Sequence, residues 1–183
     1  LVLDFSFYVA HVSMHKVGAF WRFHAVHHSD PIVDVTTTIR QHPGEGLIRY
    51  GYLAIFAIPL GASLPAFAIY RLWSVLNGLL EHANIGAPPW FDTALSWLTT
   101  WPYMHKVHHS RDLRFTDTNY GNLLSIWDRA FGTFTPSRLG VNVEYGLSGT
   151  DSPEQQTTAA LLAAPFQAQP SRQAPTAASG LEF

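Results

Sequence analysis

The sequence predicts an all-α, membrane-embedded helical protein built on one apolar helical hairpin. Three observations predict it. The 183 residues are 47% hydrophobic, while acidic and basic residues together make up only 13%, about half of the roughly 25% usual in soluble domains. Between Tyr50 and Leu80 the one charged residue is Arg71, a run long enough for a membrane span by length alone. That run is interrupted at Pro59-Leu60-Gly61-Ala62-Ser63-Leu64-Pro65, and proline inside a helix removes a hydrogen bond and clashes with the preceding turn.

Each element follows in order. Leu1 to about Lys16 is apolar and reads as the end of a helix. The chain opens without Met in the middle of that apolar stretch, so an upstream part is expected to be missing. Trp21 to Glu45 is mixed and polar. Two helices, 46–59 and 64–82, make the hairpin, at about 20 and 28 Å for a rise of 1.5 Å per residue. The hydrocarbon core is about 30 Å thick. The first helix is therefore short for a full crossing, which leaves a deep re-entrant hairpin, or a buried hairpin of a soluble protein, as alternatives. From Ala83 to Tyr103 the chain is broken by Pro88, Pro89 and Pro102 and carries Trp90, Phe91, Trp97 and Trp101, residues suited to a membrane interface. Ser152-Pro153-Glu154 reads as a capped helix start, opening a segment that ends near Phe166. Residues 1–166 thus form the expected core. Residues 167–183, rich in Ala, Pro and Gln, are expected to be a disordered tail.

Composition also excludes functions. A net charge of −2 gives no basic footprint for nucleic acid. The absence of cysteine rules out a disulfide scaffold, a thiolate zinc site, an iron–sulfur cluster and a cysteine nucleophile. Lys16, Arg22, Arg40, Arg49, Lys106, Arg111 and Arg114 all lie outside the apolar run of the hairpin, Tyr50 to Leu80, and the positive-inside bias puts that side in the cytoplasm.

Eight of the ten histidines fall in three clusters: His11 and His15; His24, His27 and His28; His105, His108 and His109. On a helix, residues three and four apart share a face, so each cluster projects its imidazoles from one patch. Neutral imidazole is the commonest metal ligand, and eight of them suit two metal ions better than one. The hairpin leaves the histidine side near residue 46 and returns by 82, which lets all three clusters converge in a di-metal cap at the cytoplasmic end. Other metal and catalytic motifs are absent: there is no H-E-x-x-H helix, no Glu-x-x-His pair and no G-x-S-x-G elbow.

With H-x3-H, H-x2-HH and H-x2-HH in this order, the sequence resembles the fatty acid hydroxylase/sterol desaturase superfamily of integral-membrane histidine-box oxidases. The surrounding text is similar too: Trp21 to Ser29, Gln41-His42-Pro43-Gly44-Glu45, His82-Ala83-Asn84-Ile85, Asn119-Tyr120-Gly121 and Ile126 to Thr133. The resemblance covers about residues 4–166. It lacks the upstream transmembrane helices usual in that superfamily.

The resemblance implies that His11, His15, His24, His27, His28, His105, His108 and His109 ligate two non-haem iron ions, with His82 as a ninth ligand. His42 is expected to line the site without binding metal. Asp4 and Tyr8, spaced along the face of His11 and His15, are expected to hydrogen-bond ligand N–H groups. Asn119, Tyr120, Trp127, Asp128 and Arg129 read as structural. The implied activity is dioxygen-dependent hydroxylation or desaturation of a fatty acyl or sterol-like lipid. Its electrons would come from an external cytochrome b5-, ferredoxin- or rubredoxin-like donor, at the cytoplasmic face of a membrane, a bacterial inner membrane before an endoplasmic reticulum. Carotenoid hydroxylation and metal binding without turnover are the rival expectations.

Overall fold

The computed structural model describes residues 1–167. Two helices meeting at Val17 open the chain, α1 (Val2–Lys16) and α2 (Gly18–His28). Val17 is extended, with φ −97° and ψ 111°, and this single non-helical residue lets α2 take a new direction. A short 3₁₀ turn, Val35–Ile39, is closed by Asp34 and Thr37 in a reciprocal capping box.

The hairpin follows as α3 (Pro43–Ala57) and α4 (Leu64–Glu81). Helix α3 starts three residues before the sequence pattern predicts, because His42 caps it: its Nδ1 accepts from the Gly44 N–H at 2.9 Å, and Pro43 occupies the first turn. Ser63 caps α4 in the same way, and Gly61, at φ +61°, makes the left-handed turn between the two helices. The remaining helices are short: α5 (Pro89–Leu95), α6 (Pro102–His108), α7 (Leu113–Thr116), α8 (Ile126–Ala130) and α9 (Thr158–Ala163). Two further 3₁₀ turns lie at Ser137–Asn142 and Ala164–Phe166. Among the described residues there are isolated β-bridges but no strand, as an all-α fold requires.

Helix α1 packs against α2 and α3, and α6 against the Ser137–Asn142 turn. The latter contact is so close that a Cβ at Gly140 would overlap the Tyr103 backbone carbonyl. The interior is unusual in content. Met14, Met104, Val107 and Tyr120 are buried, but they share the interior with all ten histidines. The hairpin is the reverse, with Leu47, Ile55, Ile58, Leu72 and Trp73 exposed. Among the described residues no helix is long and apolar enough to cross a membrane.

One predicted helix start moves. Residues 152–156 form turns, with i to i+3 bonds from Gln155 to Ser152 and from Gln156 to Pro153, and α9 begins only after Thr157, whose hydroxyl accepts from Ala160 N–H. The cause is Gln156. Its amide bonds to Ser29 O and Thr150 O and its oxygen accepts from Arg40, which ties the segment to the end of α2. The predicted tail lies, from residue 168 on, outside the described residues.

Candidate metal centre

The side chains of nine histidines meet in two adjoining groups. His11, His15, His24, His28 and His108 form one, and His27, His82, His105 and His109 the other; within each group the ligand atoms lie within 4.8 Å of one another. Helical geometry explains the division. His11 and His15, and His24 and His28, are four residues apart and share a face, so they enter the five-histidine group together. His105 and His109 do the same for the four-histidine group. The remaining member of each H-x2-HH box, His27 and His108, is turned away by one residue and crosses to the other group. The spacing read as one patch of three therefore serves two sites.

The tautomers are set by what holds Nδ1. His11 Nδ1 donates to Tyr120 O at 2.8 Å, His108 Nδ1 to Thr118 O at 2.7 Å, His82 Nδ1 to Gly78 O at 2.7 Å and His27 Nδ1 to Arg40 O at 3.3 Å. A carbonyl only accepts, so the proton sits on Nδ1 and the Nε2 lone pair faces inward. Carboxylates take the same position on two others. Asp117 Oδ1 lies 3.2 Å from His15 Nδ1, and Glu45 Oε1 lies 3.1 Å from His24 Nδ1, bent from the line of a straight hydrogen bond. The buried Nδ1 atoms of His105 and His109 have no acceptor among the described residues.

Those inward lone pairs are close together. His82 Nε2 stands 3.0 Å from His105 Nε2, 3.1 Å from His109 Nε2 and 3.2 Å from His27 Nε2. In the other group His24 Nε2 stands 3.1 Å from His11 Nε2 and 3.2 Å from His28 Nε2. With its proton on Nδ1, His82 Nε2 has nothing to donate to any of its three neighbours. His27 and His82, each with its proton on Nδ1, turn two lone pairs on one another at 3.2 Å, and such a pair repels unless a cation lies beside it. For metal–nitrogen bonds of about 2.0–2.1 Å, neighbouring ligand nitrogens stand about 2.9–3.4 Å apart in octahedral or tetrahedral geometry, which is the spacing found. The donor set fits a metal ion in each group.

Burial favours the same protonation state. Desolvation lowers the pKa of His27, His28, His105 and His109 well below the ordinary value, brings His82 to about 4 and His108 to about 3. All are neutral, ligand-ready imidazoles at pH 7.

Three predicted residues lie outside both groups. The structure gives Asp4 and Tyr8 partners other than ligand N–H groups: Asp4 accepts from Leu123 N at 3.1 Å and Trp127 Nε1 at 2.8 Å, and Tyr8 bonds Thr133 Oγ1 at 3.0 Å. Their role is to fasten α1 to the segment after the third box, whose orphan donors need an acceptor. His42 caps α3, donates from Nε2 to Leu162 O at 3.3 Å and packs on Phe23. Asp128, read as structural, accepts from Tyr120 N and Gly121 N at 2.7 and 2.8 Å, and so fixes the carbonyl that holds His11.

Sequence reasoning missed Glu45, Asp117 and Glu81 as site residues. Glu45 is buried and also contacts Arg49 at 3.3 Å; an acid in a first helical turn reads as a dipole partner, which hid it. Glu81 Oε1 lies 3.7 Å from His105 Nε2. An acid ending a nearly uncharged run was its available signal. Asp117 carries none. A cavity of about 310 Å³ reaches both groups from the hairpin, touching His11, His24, His27, His82 and His105.

An all-helical protein with two adjoining histidine groups, each able to hold a metal ion, is the class that fold and site define. The chain belongs to the fatty acid hydroxylase family, which matches residues 1–133. It is 33% identical over 154 residues to the alkylglycerol monooxygenase of Xenopus tropicalis, across 81% of this chain and 32% of that protein. It is 34% identical over 149 residues to the ornithine lipid hydroxylase OlsE of Rhizobium tropici, across 81% of this chain and 44% of that one. The very-long-chain aldehyde decarbonylase GL1-5 of rice is 28% identical over 152 residues, across 74% of this chain and 22% of its own length. The chain thus spans less than half the length of these relatives. No solved structure matches it.

Proposed function

We propose that this chain is the core of a non-haem di-iron oxidase that uses dioxygen to hydroxylate or desaturate an unactivated C–H position of a lipid. The observation that carries the reading is the division of nine buried imidazoles into groups of five and four, two in each group with Nδ1 bonded to a carbonyl and the Nε2 lone pair turned inward. His11, His15, His24, His28 and His108 would hold one ion, and His27, His82, His105 and His109 the other. Two ferrous ions, when bound, would supply the two-electron activation of dioxygen that an alkane C–H bond demands, with further electrons from a cytochrome b5-, ferredoxin- or rubredoxin-like donor.

The chain's own residues do the rest. Backbone carbonyls keep His11, His27, His82 and His108, and Asp117 keeps His15, in the ligating tautomer before the metal arrives. The cavity brings an alkyl chain past Leu53 and Val75 to the histidines and keeps bulk water from the oxidant. The exposed apolar face of α3 and α4 supports immersion in a bilayer, with the histidine end at the cytoplasmic face of, in a bacterium, the inner membrane. The names of the relatives, a monooxygenase and a hydroxylase of lipids, favour hydroxylation over desaturation.

The test pairs anaerobic metal analysis with lipid mass spectrometry of cells making the full-length protein or its His108→Ala variant. Two irons per chain, oxygen uptake and a lipid heavier by one oxygen that His108→Ala abolishes are expected. Zinc without oxygen consumption would overturn the reading.

A further inference from the structure

The cavity that reaches the histidines has a second end, and its chemistry is different. There it is lined by Arg71, Tyr50, Tyr70 and Val75, and Tyr50, 53% exposed, brings it to the surface. Arg71 is the one charge in the hairpin's apolar run. On its own helix it is flanked at three and four residues by Ala68, Phe67, Ser74 and Val75, none of which can neutralise it. Its polar contact is neutral: Nη2 donates to Tyr50 Oη at 3.2 Å, with the guanidinium 5.1 Å from the centre of that ring. Among the described residues Arg71 forms no ion pair. Arg49, the other cation on this cavity, is by contrast engaged, with Glu45 at 3.3 Å and the Phe7 ring at 4.3 Å.

Arg71 is half-buried on the apolar face that the proposed function immerses in a bilayer, where a guanidinium is costly without a counter-charge and marks a functional site. Arg presents five N–H donors in a planar fork suited to carboxylate or phosphate. Arg71 lines the cavity, and its one hydrogen bond among the described residues uses Nη2, so most of that fork is unbonded. From Arg71 to Glu81, beside the four-histidine group, α4 climbs ten residues, about 15 Å. One end of the cavity therefore offers a cation, the other the imidazoles, with Ser74, Val75 and Gly78 of α4 between.

Resting on the lipid-oxidase reading, the geometry points to Arg71 as the anchor for an anionic headgroup, carboxylate or phosphate, of an amphiphile whose oxidised carbon lies far along its alkyl chain from that charge. Tyr50 accepts from one edge of the guanidinium.

The test measures binding by intrinsic tryptophan fluorescence to the full-length protein in detergent, metal-free and iron-loaded. The probes are dodecanoate, dodecyl phosphate and dodecanol, three amphiphiles with one alkyl chain and different heads. Wild type is expected to prefer at least one anionic probe over the alcohol by about tenfold or more, the usual scale of a charge-assisted bond. The stronger of the two anions tells carboxylate from phosphate. Arg71→Gln should abolish the preference and Arg71→Lys keep part of it, with iron content unchanged in both. Equal binding of all three probes by wild type, or a preference that survives Arg71→Gln, would overturn the proposal. The two readings fail separately. Anion preference without iron leaves the anchor and sinks the oxidase, while two irons and oxygen uptake without head preference do the reverse.

Discussion

Replacing Glu45 by Gln asks whether one buried carboxylate tunes one metal site alone. Glu45 is fully buried, 3.1 Å from His24 Nδ1 and 3.3 Å from Arg49 Nη1. Glutamine keeps the shape and an acceptor oxygen but removes the charge that both neighbours face. Loss of such an orienting partner lowers metal affinity by about 10–100-fold, equivalent to roughly 1.4–2.7 kcal/mol. The effect should be one-sided. His24 belongs to the five-histidine group, and none of His27, His82, His105 and His109 lies in contact with Glu45 in that way. Equilibrating the loaded protein against chelators of graded strength, with iron counted by elemental analysis, should show one iron released more readily and the other held as in wild type. Equal weakening of both irons, or of neither, would refute the argument from geometry.

Asp128→Asn should destabilise the protein by about 1–3 kcal/mol in urea titration, because one amide end would face a buried backbone donor at Tyr120 or Gly121; an unchanged midpoint would remove Asp128 as the clamp. Asp4→Ala should cost a similar amount by leaving Trp127 Nε1 and Leu123 N without their acceptor, yet retain both irons, and loss of iron would restore Asp4 to the metal's surroundings. His42→Ala should cost about 1 kcal/mol as a lost helix cap and leave iron content unchanged. Acidification should weaken the metal-free protein. His82 and His108 titrate at about 4 and 3 when folded against about 6.5 when unfolded, so the unfolded chain binds protons first. Stability is full above about pH 6.5 and falls as pH drops toward those folded values, and a urea midpoint that holds or rises on acidification would contradict this.

The hairpin was legible because its signals are local and strong: Pro59, Gly61 and Pro65 mark the turn, and α4 begins at the expected residue. Helix α3 was misjudged at its start because a capping histidine before a proline looks like polar loop. The histidine clusters were legible from spacing, but their division was not. Which imidazole of His27 and His28 goes to which group depends on how α2 is rotated against α4 and α6, a tertiary fact. Asp4 and Tyr8 share a helical face with His11 and His15, yet that face also meets the segment carrying Leu123, Trp127 and Thr133: Asp4 accepts from the first two, and Tyr8 donates to the Thr133 hydroxyl, whose own proton goes to Asp128. The carbonyls of Tyr120, Thr118, Arg40 and Gly78 leave no trace in sequence at all, since every residue has one.

Assembly in time follows from the division of the histidines. Two consecutive helices deliver His11, His15, His24 and His28, four of the five members of one group, before the hairpin and the third box are made. The other group has His27 alone until the chain reaches His82. Synthesis at about 5–20 residues per second puts roughly 4–16 s between His28 and His108. During that interval a growing chain that had formed α1 and α2 would offer an incomplete four-imidazole patch, and incomplete nitrogen sites favour copper or zinc over ferrous iron. The helix that ends the wait, α6, is only seven residues long, too short to hold itself in water, and it leans on Gly140 for support. On the di-iron reading, selectivity for iron would rest less on the first helices than on the late arrival of a third box, held in place by the chain that comes after it.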